Sequence, residues 1–260
     1  MKKVRKLVIL AGGLGTRLAE ETALKPKPMV EIGGHPILWH IMKMYEKHGV
    51  NEFIVCCGYK GDVIKEFFSN YLIRTSDVTF DLGEDSVTIH NKRTESWKVT
   101  LADTGNASMT GGRLARVREF VENEEAFAFT YGDGVSDIDL TAEFKYHFDH
   151  GRKATIASVV PPGRFGSIVT TGNTVTHFAE KPVGDGGRIN GGFFVLSPKC
   201  IDEIENDQTV WEETPMTNLA AQREIMAFEH HGFWQPMDTL REKQYLEKLW
   251  QSGKAPWRTW

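Results

Sequence analysis

Five consecutive apolar residues, Leu7 to Ala11, run directly into Gly12-Gly-Leu-Gly15-Thr-Arg17-Leu18. An unbroken apolar run that empties into glycines predicts a buried parallel strand followed by a loop of accessible backbone amides. The pattern then changes period. From Pro36 to His48, Ile37, Ile41, Met44 and Tyr45 fall on one face, which predicts a helix with Pro36 in its first turn. Glu52 to Cys57 predicts a second short buried strand. Lys60 to Leu72 predicts a second amphipathic helix, with Ile64, Phe67, Phe68 and Tyr71 at helical spacing. Strand, helix, strand, helix implies a right-handed parallel α/β layer.

Beyond this point the rhythm breaks. Val78–Leu82, Ser86–His90 and Trp97–Ala102 predict three strands joined by turns, and a helix is expected from about Arg113 to Asn123. Ala126 to Tyr131 is an aromatic-rich strand that ends in Gly132-Asp133-Gly134. A helix over Leu140–His150 and a strand over Ala154–Val160 follow. The shorter segments Ser167–Thr170, Thr174–Ala179 and Gly192–Leu196 suit an antiparallel edge and hairpin. Thr214-Pro215 predicts a helix start with threonine at the cap, and Leu240–Gln251 a terminal helix. No repeat or linker divides the chain, so one mixed α/β domain over residues 1–260 is expected.

Composition narrows the function class. Lys+Arg 31 against Asp+Glu 35 leaves a formal net charge of −4, which gives no broad basic field for nucleic acid. Hydrophobic content of 40% and charged content of 25% describe an ordinary globular chain, and no apolar run approaches the ~18 residues of a membrane span. Cys56, Cys57 and Cys200 lack zinc or redox spacing and read as buried free thiols. That usage, with no secretory leader, points to the cytoplasm.

The candidate chemistry is local. A glycine loop after a strand lets backbone amides approach phosphate closely, and nearby cations hold its charge. A dinucleotide fingerprint is excluded because Leu18 stands where its third glycine belongs; a P-loop is excluded because no Gly-Lys-Ser/Thr occurs. Lys25-Pro-Lys27-Pro28 places a second cationic segment just downstream, with prolines restricting the backbone on both sides of Lys27. Asp133 follows the carboxyl end of a strand, where ligands of open α/β sheets bind, and its glycine neighbours leave room for a magnesium-bound phosphate. A plain Asp-Gly turn is the alternative for Asp133, and a helix cap for Asp137. Asp103-Thr-Gly-Asn-Ala-Ser108-Met-Thr-Gly-Gly-Arg113 is a second polar, glycine-rich stretch that could read a base edge or serve as a loop before a helix.

Gly-Gly-x-Gly-Thr-Arg-Leu followed by Lys-Pro-Lys-Pro resembles the signature of the sugar-phosphate nucleotidyltransferases. Together with Tyr131-Gly-Asp-Gly and the Asp103–Arg113 stretch, the resemblance is to the cytidylyltransferase branch that acts on glucose 1-phosphate, over essentially Leu7 to Trp260. It implies a Rossmann-like, mostly parallel mixed sheet flanked by helices, with a small antiparallel subsheet on the sugar side. It implies joining of CTP and glucose 1-phosphate to give CDP-glucose and pyrophosphate, with Mg²⁺ as cofactor. Arg17, Lys27 and Asp133 would be catalytic. Leu10, Ala11, Gly12, Gly13, Leu14, Gly15, Thr16, Ser108, Arg113 and Gly132 would contact the nucleotide. Gly166, Glu180, Lys181 and Asn190 would hold the sugar phosphate, and Asp133 and Asp238 the metal. For Asp238 an N-cap of the terminal helix is the competing role, shared with Thr239. Relatives of this kind form homo-oligomers, including hexamers, and serve dideoxysugars of surface polysaccharides such as O-antigen. A uridylyl- or thymidylyltransferase, or a non-catalytic nucleotide-sugar-binding relative, stays open. The second would be expected to have lost Arg17, Lys27 or an aspartate.

Overall fold

The computed structural model describes residues 2–91, 94–161, 167–179 and 187–260; Gly166, Glu180 and Lys181 lie outside the described residues, as does the side chain of Arg17. Seven strands form the central sheet: β1 (Lys6–Leu10), β2 (Glu52–Cys57), β3 (Lys98–Asp103), β4 (Phe127–Tyr131), β5 (Ala154–Val159), β6 (Ile189–Leu196) and β7 (Ile225–Glu229). Their order is β7-β5-β6-β4-β1-β2-β3. All pairings are parallel except those of β6, which runs antiparallel to both β4 and β5. The sheet is therefore mixed and mostly parallel, as expected.

Alternation along the strands divides the core into two layers. Leu7, Ile9, Val55, Cys57, Ala128 and Val195 face one layer; Val8, Leu10, Cys56, Phe129 and Phe194 face the other. The adjacent cysteines thus point to opposite sides, and all three cysteines are buried and unbridged. Burial pushes the Cys57 thiol up to about 11 and Cys200 up to about 12, which leaves them inert packing residues. Helices α1 (Ile37–Lys47), α2 (Gly61–Ser69), α3 (Thr110–Arg116), α4 (Leu140–His150), α5 (Thr214–Ala221) and α6 (Leu240–Gln251) flank the sheet. None among the described residues is long and apolar enough to cross a membrane.

Several expectations need correction. Lys98–Asp103 does not extend the meander of Asp77–Asp81 and Ser86–His90; those two form a separate hairpin, while β3 pairs parallel with β2. The hairpin is closed by its own turn chemistry, since Asp81 Oδ1 accepts from the amides of Gly83 and Glu84. Ile189–Leu196 is no edge strand: it sits inside the sheet, and its apolar run Gly192-Phe-Phe-Val-Leu196 suits burial on both faces. Only Ser167–Thr171 and Thr174–Ala179 form the small antiparallel hairpin. The helix expected from Lys60 breaks at Asn70, with Tyr71–Thr75 as a separate turn. The helix expected from Arg113 instead spans Thr110–Arg116, followed by a 3-10 turn. Glu213 rather than Thr214 takes the cap position of α5.

Candidate active site

The carboxyl ends of β1, β2, β3 and β4 open onto one edge of the sheet, and a cleft of about 370 Å³ lies there. It is lined by Leu10–Gly13, Gly15, Thr16, Lys27, Pro28, Ser108–Thr110, Arg113, Tyr131–Asp133 and Asp238. Most of the residues expected to contact nucleotide therefore converge. Leu14 does not: its side chain is 60% exposed and lies off the cleft wall.

The glycine loop is shaped by what presses on it. A Cβ on Gly12 would meet the Arg113 guanidinium at 2.1 Å. Gly15 adopts φ +63, and its carbonyl accepts from the Thr22 hydroxyl at 3.1 Å, which pins the turn into the 3-10 segment Thr16–Leu18. On the facing strand, a Cβ on Gly132 would meet the Leu10 carbonyl at 2.7 Å, so only glycine lets β1 and the Asp133 turn approach.

Arg113 reaches the cleft wall, where it also holds the loops in place. It is 5% exposed, and its guanidinium donates to the carbonyls of Gly12 (3.1 Å), Gly105 (2.7 Å) and Cys57 and to the Thr104 hydroxyl (2.9 Å). Burial lowers its pKa from the usual arginine value, though the charge persists. Arg113 lines the cleft, but its donors are committed to holding three loops together. Sequence spacing does not reveal this, because two of the loops it joins, at Gly12 and Cys57, lie far from it in the chain.

At the floor, the Lys27 ammonium donates to Asp133 Oδ2 at 2.7 Å and to Asp238 Oδ1. Burial pulls the lysine pKa down, but the two carboxylates outweigh it and hold the group above its ordinary value. The choice of Lys27 over Lys25 has a structural basis: Lys25 points away to pair with Glu31. Asp238 reaches Asp133 because Trp234–Pro236 pairs antiparallel with Gly134–Ser136 and the Met237 amide donates to the Asp133 carbonyl at 2.8 Å. Its competing role as helix cap is taken by Thr239, whose hydroxyl accepts from the Glu242 amide while Glu242 Oε2 accepts from the amides of Asp238 and Thr239. Asp137 is likewise no cap; Asp139 caps α4, and Asp137 faces His230 at 3.1 Å. His230 is a largely covered partner of Asp137.

Two carboxylates converging on one cationic atom are a hard-oxygen donor pair suited to a divalent metal that completes its shell with phosphate and water. Among the described residues no group of three or more His, Cys, Asp or Glu forms an all-protein cage. A second, smaller pocket of about 210 Å³ adjoins the cleft across Tyr131, Asp133 and Asp238, and is lined by Asn190–Phe193 and Trp234. Asn190 is held there, accepting from the Gly192 amide at 2.8 Å and donating to the Tyr131 hydroxyl at 3.2 Å. Trp234 packs against the core, walls this pocket and donates to the Gly191 carbonyl at 2.7 Å.

The chain was compared with known proteins. The nucleotidyl transferase family profile matches residues 6–238. The glucose-1-phosphate cytidylyltransferase of Salmonella typhimurium is 64% identical over 98% of this chain and 99% of its own. A probable glucose-1-phosphate cytidylyltransferase of Bacillus subtilis is 41% identical over 98% of this chain and 100% of its own. Among solved structures, HddC from Yersinia pseudotuberculosis superposes with a TM-score of 0.69 at 23% identity, covering 95% of this chain and 100% of that one. UDP-glucose pyrophosphorylase complexed with UDP-glucose gives a TM-score of 0.69 at 14% identity, over 96% of this chain and 100% of that one, a likeness of fold alone. With a glycine loop, a buried lysine and paired aspartates at one cleft, and a family match that spans them, the chain belongs to the nucleotidyl transferase family.

Proposed function

We propose that this protein is a glucose-1-phosphate cytidylyltransferase, which joins CTP and α-D-glucose 1-phosphate to give CDP-glucose and pyrophosphate. The observation that carries the chemistry is the Lys27–Asp133–Asp238 cluster at the floor of the glycine-loop cleft. The 64% identity to the Salmonella enzyme over nearly the whole of both chains carries the choice of base and sugar.

A phosphate oxygen of the sugar phosphate attacks the α-phosphorus of CTP, a P–O bond forms, and the bond to pyrophosphate breaks. The attacking oxygen is already ionised at neutral pH, so no general base is required, and catalysis reduces to positioning and charge neutralisation. In this reading the amides of Gly12 and Gly13 face the triphosphate, Arg17 supplies charge to its tail, and Lys27 turns its ammonium to the reacting phosphate. Asp133 and Asp238 would hold Mg²⁺, which when bound neutralises phosphate charge. Ser108 and the backbone around Met109 stand on the base side of the cleft, and Asn190 with Trp234 on the sugar side. Glu180, Lys181 and Gly166 keep their expected sugar-side roles as part of the same reading. One domain over residues 1–260, working as a cytoplasmic homo-oligomer, completes it.

Pyrophosphate release with glucose 1-phosphate, assayed across CTP, UTP, dTTP, ATP and GTP, tests the assignment. Turnover with CTP at least tenfold above the rest is expected; preference for UTP or dTTP would move the chain to another branch of the family.

A further inference from the structure

Tyr131 is the shared wall between the two pockets, and its phenol is fixed from outside the cleft. Its ring lies against Gly192, where φ is +78 and a Cβ would meet the ring at 2.5 Å, so glycine alone admits it. Its hydroxyl accepts from Asn190 Nδ2 on the sugar side and donates to Glu212 Oε1.

The second oxygen of Glu212 serves the other pocket. Glu212 Oε2 accepts from the Thr110 hydroxyl at 2.6 Å, and Thr110 Oγ1 accepts in turn from the Trp211 amide at 2.9 Å. Thr110 opens α3 beside Ser108 on the nucleotide wall. One exposed carboxylate thus bridges a hydroxyl of the nucleotide wall, Thr110, and a hydroxyl of the wall that both pockets share, Tyr131. Nothing in the chemistry of phosphoryl transfer asks for Glu212, and a surface carboxylate is not needed to pack either residue.

We propose that Glu212 is a positioning residue that ties the nucleotide pocket to the sugar pocket through Thr110 and Tyr131, so that the two substrates are aligned by one side chain that touches neither. The proposal rests on the reading of the cleft as the site of a nucleotide and a sugar phosphate.

The test is steady-state kinetics with each substrate varied against saturating amounts of the other, on the full chain. A typical net hydrogen bond is worth about a factor of five to ten, and at an exposed carboxylate such as Glu212 solvent screening keeps the effect near that range. Glu212→Ala is expected to raise KM for CTP and for glucose 1-phosphate by about that factor each, with kcat falling less than either KM rises. Tyr131→Phe should raise chiefly the sugar-phosphate KM, and Thr110→Val chiefly the CTP KM. Adding Glu212→Ala to Tyr131→Phe should raise the sugar-phosphate KM no further. Glu212→Gln, which keeps one acceptor, should fall between and covers the case of a poorly folding alanine variant. Unchanged KM values, a change in only one of them, or additive effects in the double variant would overturn the proposal. Wild-type inactivity with CTP and glucose 1-phosphate would instead overturn the assigned substrates, and the same comparison would then use the pair selected by the nucleotide panel.

Discussion

Lys27 is paired with two carboxylates at the floor of the cleft. Its single positive charge faces two carboxylates, while its side chain is only 12% exposed. Lys27→Ala is expected to lower kcat by roughly 10²- to 10³-fold, the range seen when one preorganised donor is removed from a transition state. Lys25→Ala, which breaks only a surface pair with Glu31, should change kcat less than about threefold. Equal losses in the two variants would refute the distinction. Arg113 acts at the same scale by another route. Truncating it takes the donor from the part-buried Gly105 carbonyl and leaves the Gly12 carbonyl with the Tyr59 amide alone, so Arg113→Ala should cost about 1–3 kcal/mol in urea unfolding. Arg113→Lys should recover little of that, since one ammonium cannot span the fork of acceptors. A stability change below about 1 kcal/mol for both would show that the clamp is dispensable.

At the scale of elements, α4 holds a feature that the reaction does not use. Glu143 is wholly buried, neither of its oxygens has a hydrogen-bond partner, and burial pushes its pKa up to about 8 from 4.5. The carboxyl is therefore neutral in the fold at pH 7. The sign follows: between 4.5 and about 8 the native state binds a proton that the unfolded chain has released, so stability falls as pH rises through that window and levels off above it. Glu143→Gln removes the proton from this balance. Urea midpoints at pH 5 and pH 8.5 should show the wild type losing on the order of a few kcal/mol relative to Glu143→Gln over that interval. Parallel pH profiles would mean that Glu143 ionises freely in the native state. The Trp234–Pro236 strand works at this scale too: three paired residues are enough to bring Asp238 to Asp133, because the capping box at Thr239 sets where α6 begins.

For the whole molecule, the cleft joins segments far apart in the chain: Lys27 and Asp238 are 211 residues apart yet share an ion pair. A ligand that fills both pockets therefore ties the amino-terminal glycine loop to the segment that precedes the last helix. CDP-glucose at about one hundred times its Kd should stabilise the protein by about 2.7 kcal/mol, read as a rise in Tm, and Asp133→Asn should remove most of that gain when Mg²⁺ is present. A shift of equal size from free cytidine would show that the sugar pocket contributes nothing.

Much of this was readable from local pattern. The apolar run ending in glycines marked β1 and its loop, the 3.6-residue period marked α1 and α2, and the aromatic strand before Gly132 marked β4, because each signal is contained within a few neighbouring residues. The residue types at Gly12, Lys27 and Asp133 pointed to phosphate chemistry for the same reason. Partnership across distance was decided by tertiary structure alone. The apolar run of β6 reads the same whether it lies at an edge or inside a sheet, and only its pairing with β4 and β5 places it. Asp238 and Thr239 are equally good caps on paper, until the strand at Trp234 turns one toward Lys27 and leaves the other to α6. The loop-holding bonds of Arg113 and the bridging role of Glu212 gave no sequence signal, because what they bind is carbonyls and hydroxyls brought near by folding. A linear chain specifies which groups carry charge and which segments bury themselves; which charge meets which is settled by the sheet order that stacks those segments.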